Sequence, residues 1–113
     1  MVVRIGIHDY EIKYVPESEV NTAYQQGKRM NGFINFDKKE ILINKERDII
    51  TQSETMLHEV LHGLMHEWGI QENLDILDET EEKLVNTLGK GLIQVMRQMC
   101  FHDIVEDLKS TGG

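Results

Sequence analysis

The chain has 113 residues, 40% apolar and 28% charged, which suits one ordinary folded domain with a modest core. Its net charge of −8 argues against a nucleic-acid surface, because neutralising phosphates takes clustered basic residues and the nearest cluster is only Lys28-Arg29. The single cysteine, Cys100, excludes an intrachain disulfide and a thiolate zinc site, and no apolar run approaches the roughly 20 residues that cross a membrane.

Val3, Ile5 and Ile7 alternate with polar or small residues, and His8-Asp9 can turn into Tyr10, Ile12 and Tyr14. Two short strands in a hairpin are expected. This N-terminus lacks the apolar run and cleavage site of a signal peptide, so a cytoplasmic protein is expected. Pro16 ends the second strand and is placed to open a helix over about residues 17–26, with Val20, Ala23 and Tyr24 inward. Asn31-Gly32 marks a turn. Phe33 to Phe36, a polar Asp37-Lys38-Lys39 turn and Ile41 to Ile43 then read as another hairpin.

The second half reads as helical. Thr51 and Glu54 have the spacing of a capping box, which predicts a helix from near Gln52 that stops at Gly69. At 100° per residue Leu57, Leu61, Leu64 and Trp68 fall in one narrow arc, expected to face the core. Asp78 with Glu81 marks a second N-terminus, and Leu84, Leu88, Leu92, Val95, Met96 and Met99 would form the apolar side of the long helix that follows. Phe101 to Leu108 would continue that helix or form a short separate one. Lys109 to Gly113 is expected to be a mobile tail. Met96 to Met99 and Cys100 read as core filler, and His8 and His102 as ordinary histidines. The expected fold is α+β: one domain over 1–113, with a small antiparallel sheet packed on two or three helices.

His58-Glu59-Val60-Leu61-His62 carries the chemistry. Histidines four residues apart lie on one helix face, about one turn from each other, where both imidazoles can reach a single Zn²⁺. They also lie well around the helix from the leucine arc, so metal-facing and core-facing surfaces are separate. Glu59, beside the first histidine, can take a proton from activated water, as a zinc hydrolase requires. The bland alternative is a satisfied structural pair.

Catalytic zinc normally has three protein ligands. His66 fits poorly, because on a straight helix it stands roughly 12 Å from His58. A glycine-turn motif with a third histidine also fails, since Trp68 occupies that place. The second helix offers Glu79, Glu81 and Glu82, and Glu82 is the expected ligand. It shares a face with Asn86, Gly89 and Ile93, and Gly89 on that face suggests a close helix–helix approach. Asn86, one turn on, is placed to hydrogen-bond the far nitrogen of a ligating histidine. The alternative for Glu82 is a solvated charge, because Asp78, Glu79, Glu81 and Glu82 all suit a helix N-terminus.

The motif followed 20 residues later by a helical glutamate resembles the gluzincin class of zinc peptidases, and a short chain of this kind is similar to the ImmA/IrrE family of small metallopeptidases. In that family the third ligand is a glutamate with an asparagine four residues later, as Glu82 and Asn86 are here. Leu61 stands where the family usually has glycine, and Leu84-Val85 where it favours Glu-Ala. The resemblance covers about residues 50–95. It implies a zincin-like fold, zinc held by His58, His62 and Glu82, a protein or peptide substrate such as a helix-turn-helix repressor, and an origin in phage or mobile elements.

The expected function is zinc-dependent peptide hydrolysis with Glu59 as general base. Substrate would lie extended along the Phe33–Ile43 hairpin, with Tyr24, His66 and His102 as candidate oxyanion donors. The competing expectation is a non-catalytic zinc-binding module that acts through protein contacts, and a third is a metal-free helical packing domain. Neither a nucleic-acid nor a membrane partner is expected.

Overall fold

The chain alternates short strands and helices in the order β1 (Val2–Ile5), β2 (His8–Val15), α1 (Glu17–Tyr24), β3 (Gly32–Asn35), β4 (Glu40–Asn44), α2 (Ile49–Glu67), α3 (Ile70–Leu74) and α4 (Asp78–Gln98). The computed structural model describes residues 1–24 and 30–98, without the side chains of Tyr24 and Arg97. The expected tail, the Phe101–Leu108 segment, Met99, Cys100 and His102 therefore lie outside the described residues.

Both expected hairpins form. The first turns at Gly6-Ile7 rather than His8-Asp9, so Ile5 pairs with His8 and Ile7 is solvent-exposed. Gly6, with φ 63°, takes the left-handed backbone that such a two-residue turn needs. The sheet is mixed, not antiparallel as expected, with strand order β1-β2-β4-β3. β2 and β4 run parallel from Glu11↔Glu40 to Val15↔Asn44, because α1 and β3 carry the chain back before β4 enters beside β2. Among the described residues β3 pairs only with β4 and forms one edge of the sheet.

Period-two alternation divides the core between the two sheet faces. One face gathers Ile5, Tyr10, Ile12, Ile34, Ile41 and Ile43 against Met56, Val60 and Leu64 of α2. The other face buries Val15 and Leu42 with Val20 of α1. Ala23, expected inward, is exposed. Asn44, wholly buried, ties these parts together. Its amide donates to Glu17 Oε1 (3.2 Å) and to the Met30 carbonyl (3.1 Å), and its Oδ1 accepts from the Glu46 N–H (2.9 Å).

α2 begins three residues before the expected start. Asp48 is its N-cap, accepting from the Thr51 N–H (2.8 Å) and hydroxyl (3.0 Å). Thr51 thus stands third in the helix and is a partner of the cap rather than the cap itself. The helix stops as expected, with Trp68 as C-cap and Gly69 left-handed at φ 59°. Its inner surface is wider than the predicted arc. Met56, Val60 and Leu64 face the sheet, while Leu57 and Leu61 turn towards α4. Trp68, at the end of the arc, is 63% exposed.

α4 packs on α2 through Val85, which is buried, rather than through the predicted leucine side. Leu84, Leu88, Leu92, Val95 and Met96 are all substantially exposed. A Cβ added at Gly89 would meet Leu61 Cδ1 at an ordinary 3.8 Å, so that glycine is not forced by close approach. Among the described residues no helix is long and apolar enough to cross a membrane.

Close approach does dictate Gly32, at the start of edge strand β3. A Cβ there would lie 2.4 Å from Thr55 Cγ2 of α2 and 3.0 Å from the Leu42 carbonyl oxygen. A β-branched side chain and a backbone oxygen have little freedom to withdraw. Gly32→Ala is expected to lower stability by about 1–3 kcal/mol, as overpacking typically does. Urea unfolding of the variant measures this, and an unchanged midpoint would show that β3 and α2 are not locked together here.

Candidate metal centre

α2 brings His58 and His62 one turn apart, with ring centroids 4.8 Å apart and planes at 69°. Their Nε2 atoms face each other at 3.2 Å. α4 runs across this face and supplies Glu82, whose Oε1 lies 3.1 Å from His58 Nε2 and whose Oε2 lies 3.1 Å from His62 Nε2. Ligands about 2.0–2.1 Å from a tetrahedral ion stand about 3.3–3.4 Å apart. The three side chains therefore meet at nearly the spacing that one small cation would impose, and the ligand atoms of all three lie within 4.8 Å of one another.

Hydrogen-bonding chemistry narrows what can occupy the middle. Glu81 Oε2 sits 2.6 Å from His62 Nδ1. A carboxylate only accepts, so Nδ1 carries the proton of that bond. In a neutral ring His62 Nε2 is then a bare acceptor, aimed at an acceptor oxygen of Glu82 and at His58 Nε2. Such a convergence of lone pairs is repulsive unless a proton or a cation lies between them. A proton there would sit on His58 Nε2, making that ring the donor, or on His62 Nε2, making His62 an imidazolium held between two carboxylates. A divalent metal would satisfy all three donor atoms together.

Glu59 stands beside this donor set and is 9% exposed. Burial pushes its carboxyl up from the ordinary 4.5 to about 7, with Glu82 adding to the rise and His62 opposing it. His58 is held below the usual histidine range, first by burial and then by the neighbouring His62, against the pull of Glu82. Nearby neutral imidazole is the form a metal needs.

Two adjoining clefts meet at His58 and Glu59. One, of about 390 Å³, runs between α2 and α4 past Thr55, Val85, Asn86 and Lys90. The other, of about 280 Å³, passes Phe33, Ile34, Phe36, Glu81 and Glu82. They share Met30, Gly32, His58 and Glu59, so the donor set opens onto a groove along edge strand β3. No family model, curated protein or solved structure matches this chain.

The remaining candidates from the sequence are placed elsewhere or differently. Glu79 is exposed. His66 stacks on Phe36, with centroids 4.0 Å apart and planes at 13°. His8 Nε2 lies 3.7 Å from Glu67 Oε2, near the far end of α2. Of the suggested oxyanion donors, the Tyr24 side chain and His102 lie outside the described residues. Asn86 lines the α2–α4 cleft, but the far nitrogen of His62 goes to Glu81, five residues nearer the start of α4. Glu81 itself, read from sequence as the capping partner of Asp78, is spent on this bond instead. Helix α3 was not foreseen. Its Gln71 donates to Glu81 Oε1 (3.0 Å) and Asp78 Oδ1 (2.9 Å), and the only signal for it was Ile70 and Leu74 spaced one turn apart after Gly69.

Proposed function

We propose that the chain is a zinc-dependent metallopeptidase with a zincin-like arrangement of its site. The observation that carries this reading is the meeting of His58 Nε2, His62 Nε2 and the Glu82 carboxylate at 3.1–3.2 Å, with a buried Glu59 alongside. Two imidazoles and one carboxylate are the donor set of many catalytic zinc sites, and they leave a fourth position for water.

His58, His62 and Glu82 would hold zinc, which would supply the Lewis acidity that activates water and polarises a scissile carbonyl. Glu59 accepts the proton of the attacking water and returns it to the departing amine. Its burial keeps bulk water from competing for that proton. His58, His62 and Glu82 hold their donor atoms in fixed relation from two packed helices. Edge strand β3 receives an extended peptide by strand addition, with the scissile bond over the histidines. The resemblance to the ImmA/IrrE metallopeptidases makes a repressor-type protein the first substrate class to try, and the phage or mobile-element setting comes with it.

The test uses the purified full chain, assayed for zinc content and incubated with a mixed peptide library. Cleavage is expected in the zinc-loaded protein, lost in chelator and restored by added zinc. Zinc-loaded protein that cleaves no peptide would leave only the non-catalytic zinc module, and protein that retains no zinc would end both readings.

A further inference from the structure

We infer that Glu81 is a positioning residue which, braced by Gln71 of α3, fixes His62 in the tautomer that points its lone pair at the cation. This rests on the metal reading above and adds to it a residue that the family resemblance does not assign. Helical spacing alone suggests Asn86, one turn after the ligand glutamate, as the supporting polar group. The geometry places it one residue before.

Adjacent residues on a helix diverge by about 100°, and this divergence lets consecutive glutamates serve the two sides of one ring. Glu81 Oε2 takes Nδ1 at 2.6 Å, while Glu82 Oε2 faces Nε2 at 3.1 Å. A histidine that donates Nδ1–H leaves Nε2 free to ligate, and it cannot rotate without breaking that bond. The hold is firm because both Glu81 oxygens are engaged. Oε1 accepts from Gln71 Nε2 at 3.0 Å, and the same amide donates to Asp78 Oδ1 at 2.9 Å. Both partners of Gln71 are carboxylates, so the orientation of its amide is determined. The side chains of His62 and Glu81 are each only 14% exposed, which limits competition from water.

Helix α3 thereby has a task. It lies between the end of the histidine helix and the start of the glutamate helix, and Gln71 spans from it to α4. The site is held by a relay, Gln71 to Glu81 to His62, that crosses all three helices.

Nitrogen-15 spectra of the histidine rings in metal-free protein, at mildly alkaline pH, read the tautomer without requiring zinc. Zinc affinity is measured on the same samples by competition with a chromophoric chelator. The unaltered chain is expected to show His62 protonated on Nδ1. Glu81→Ala is expected to release that preference and to weaken zinc 10–100-fold, the usual effect of losing such a partner. Glu81→Gln keeps an accepting oxygen and is expected to restore the tautomer and most of the affinity. Gln71→Ala, which leaves Glu81 in place, is expected to fall at the low end of that range and guards against misfolding of the alanine variant at residue 81. A tautomer or an affinity that does not change in Glu81→Ala overturns the inference while the metal reading stands. An unaltered chain that binds no zinc overturns both.

Discussion

Glu59→Gln is expected to leave zinc binding unchanged and to lower peptide hydrolysis about 10²–10⁴-fold, the span typical of a lost general base. The substitution preserves the size of the side chain but cannot take up a proton. Glu59 is not one of the three side chains that converge at 3.1–3.2 Å, so the donor set survives its replacement. Glu59 is also too buried for a solvent base to take over readily. Elemental analysis and kcat/KM on the same preparation give the result. Hydrolysis that persists would remove Glu59 from the mechanism. Hydrolysis lost together with zinc would make Glu59 part of the metal site rather than the base beside it.

The histidine pair was legible because a helix imposes its geometry on any residues four apart, whatever surrounds them. Period-two alternation exposed the two hairpins, although the first turn lies at Gly6-Ile7 rather than at the expected His8-Asp9. Parallel pairing of β2 with β4 was not legible. It follows from where a crossover deposits a strand, and the alternation within β4 is identical in either direction. The leucine arc of α2 was only half of an inner surface, since a helix clasped between a sheet and another helix buries two stripes. For α4 the error runs the other way. The apolar stripe from Leu84 to Met96 looked like a core face, yet those side chains are substantially exposed and Val85, outside the stripe, is the buried one. Periodicity shows that a helix has an apolar side without showing what, if anything, covers it. Glu81 was visible but given to a cap. An acid at the start of a helix suits the dipole equally well in either role, and only the position of His62 decides between them.

In metal-free protein, Glu59→Gln is expected to raise stability at neutral and alkaline pH by about 3 kcal/mol and to change little near pH 4. The carboxyl titrates near 7 in the folded chain against an ordinary 4.5, and each unit of difference is worth about 1.4 kcal/mol. Because the folded value is the higher one, the native state retains a proton that the unfolded chain has already lost across this window. Stability therefore falls as pH rises from about 4.5 to about 7, and the full penalty persists above. Glutamine carries no proton and removes the slope. Bound zinc should flatten the same slope in the unaltered chain, because a neighbouring dication favours the carboxylate. Urea unfolding across this pH range, with and without zinc, separates the effects. Parallel curves for Glu and Gln in the absence of metal would mean that water reaches the carboxylate, and a buried base at this site would have to be given up.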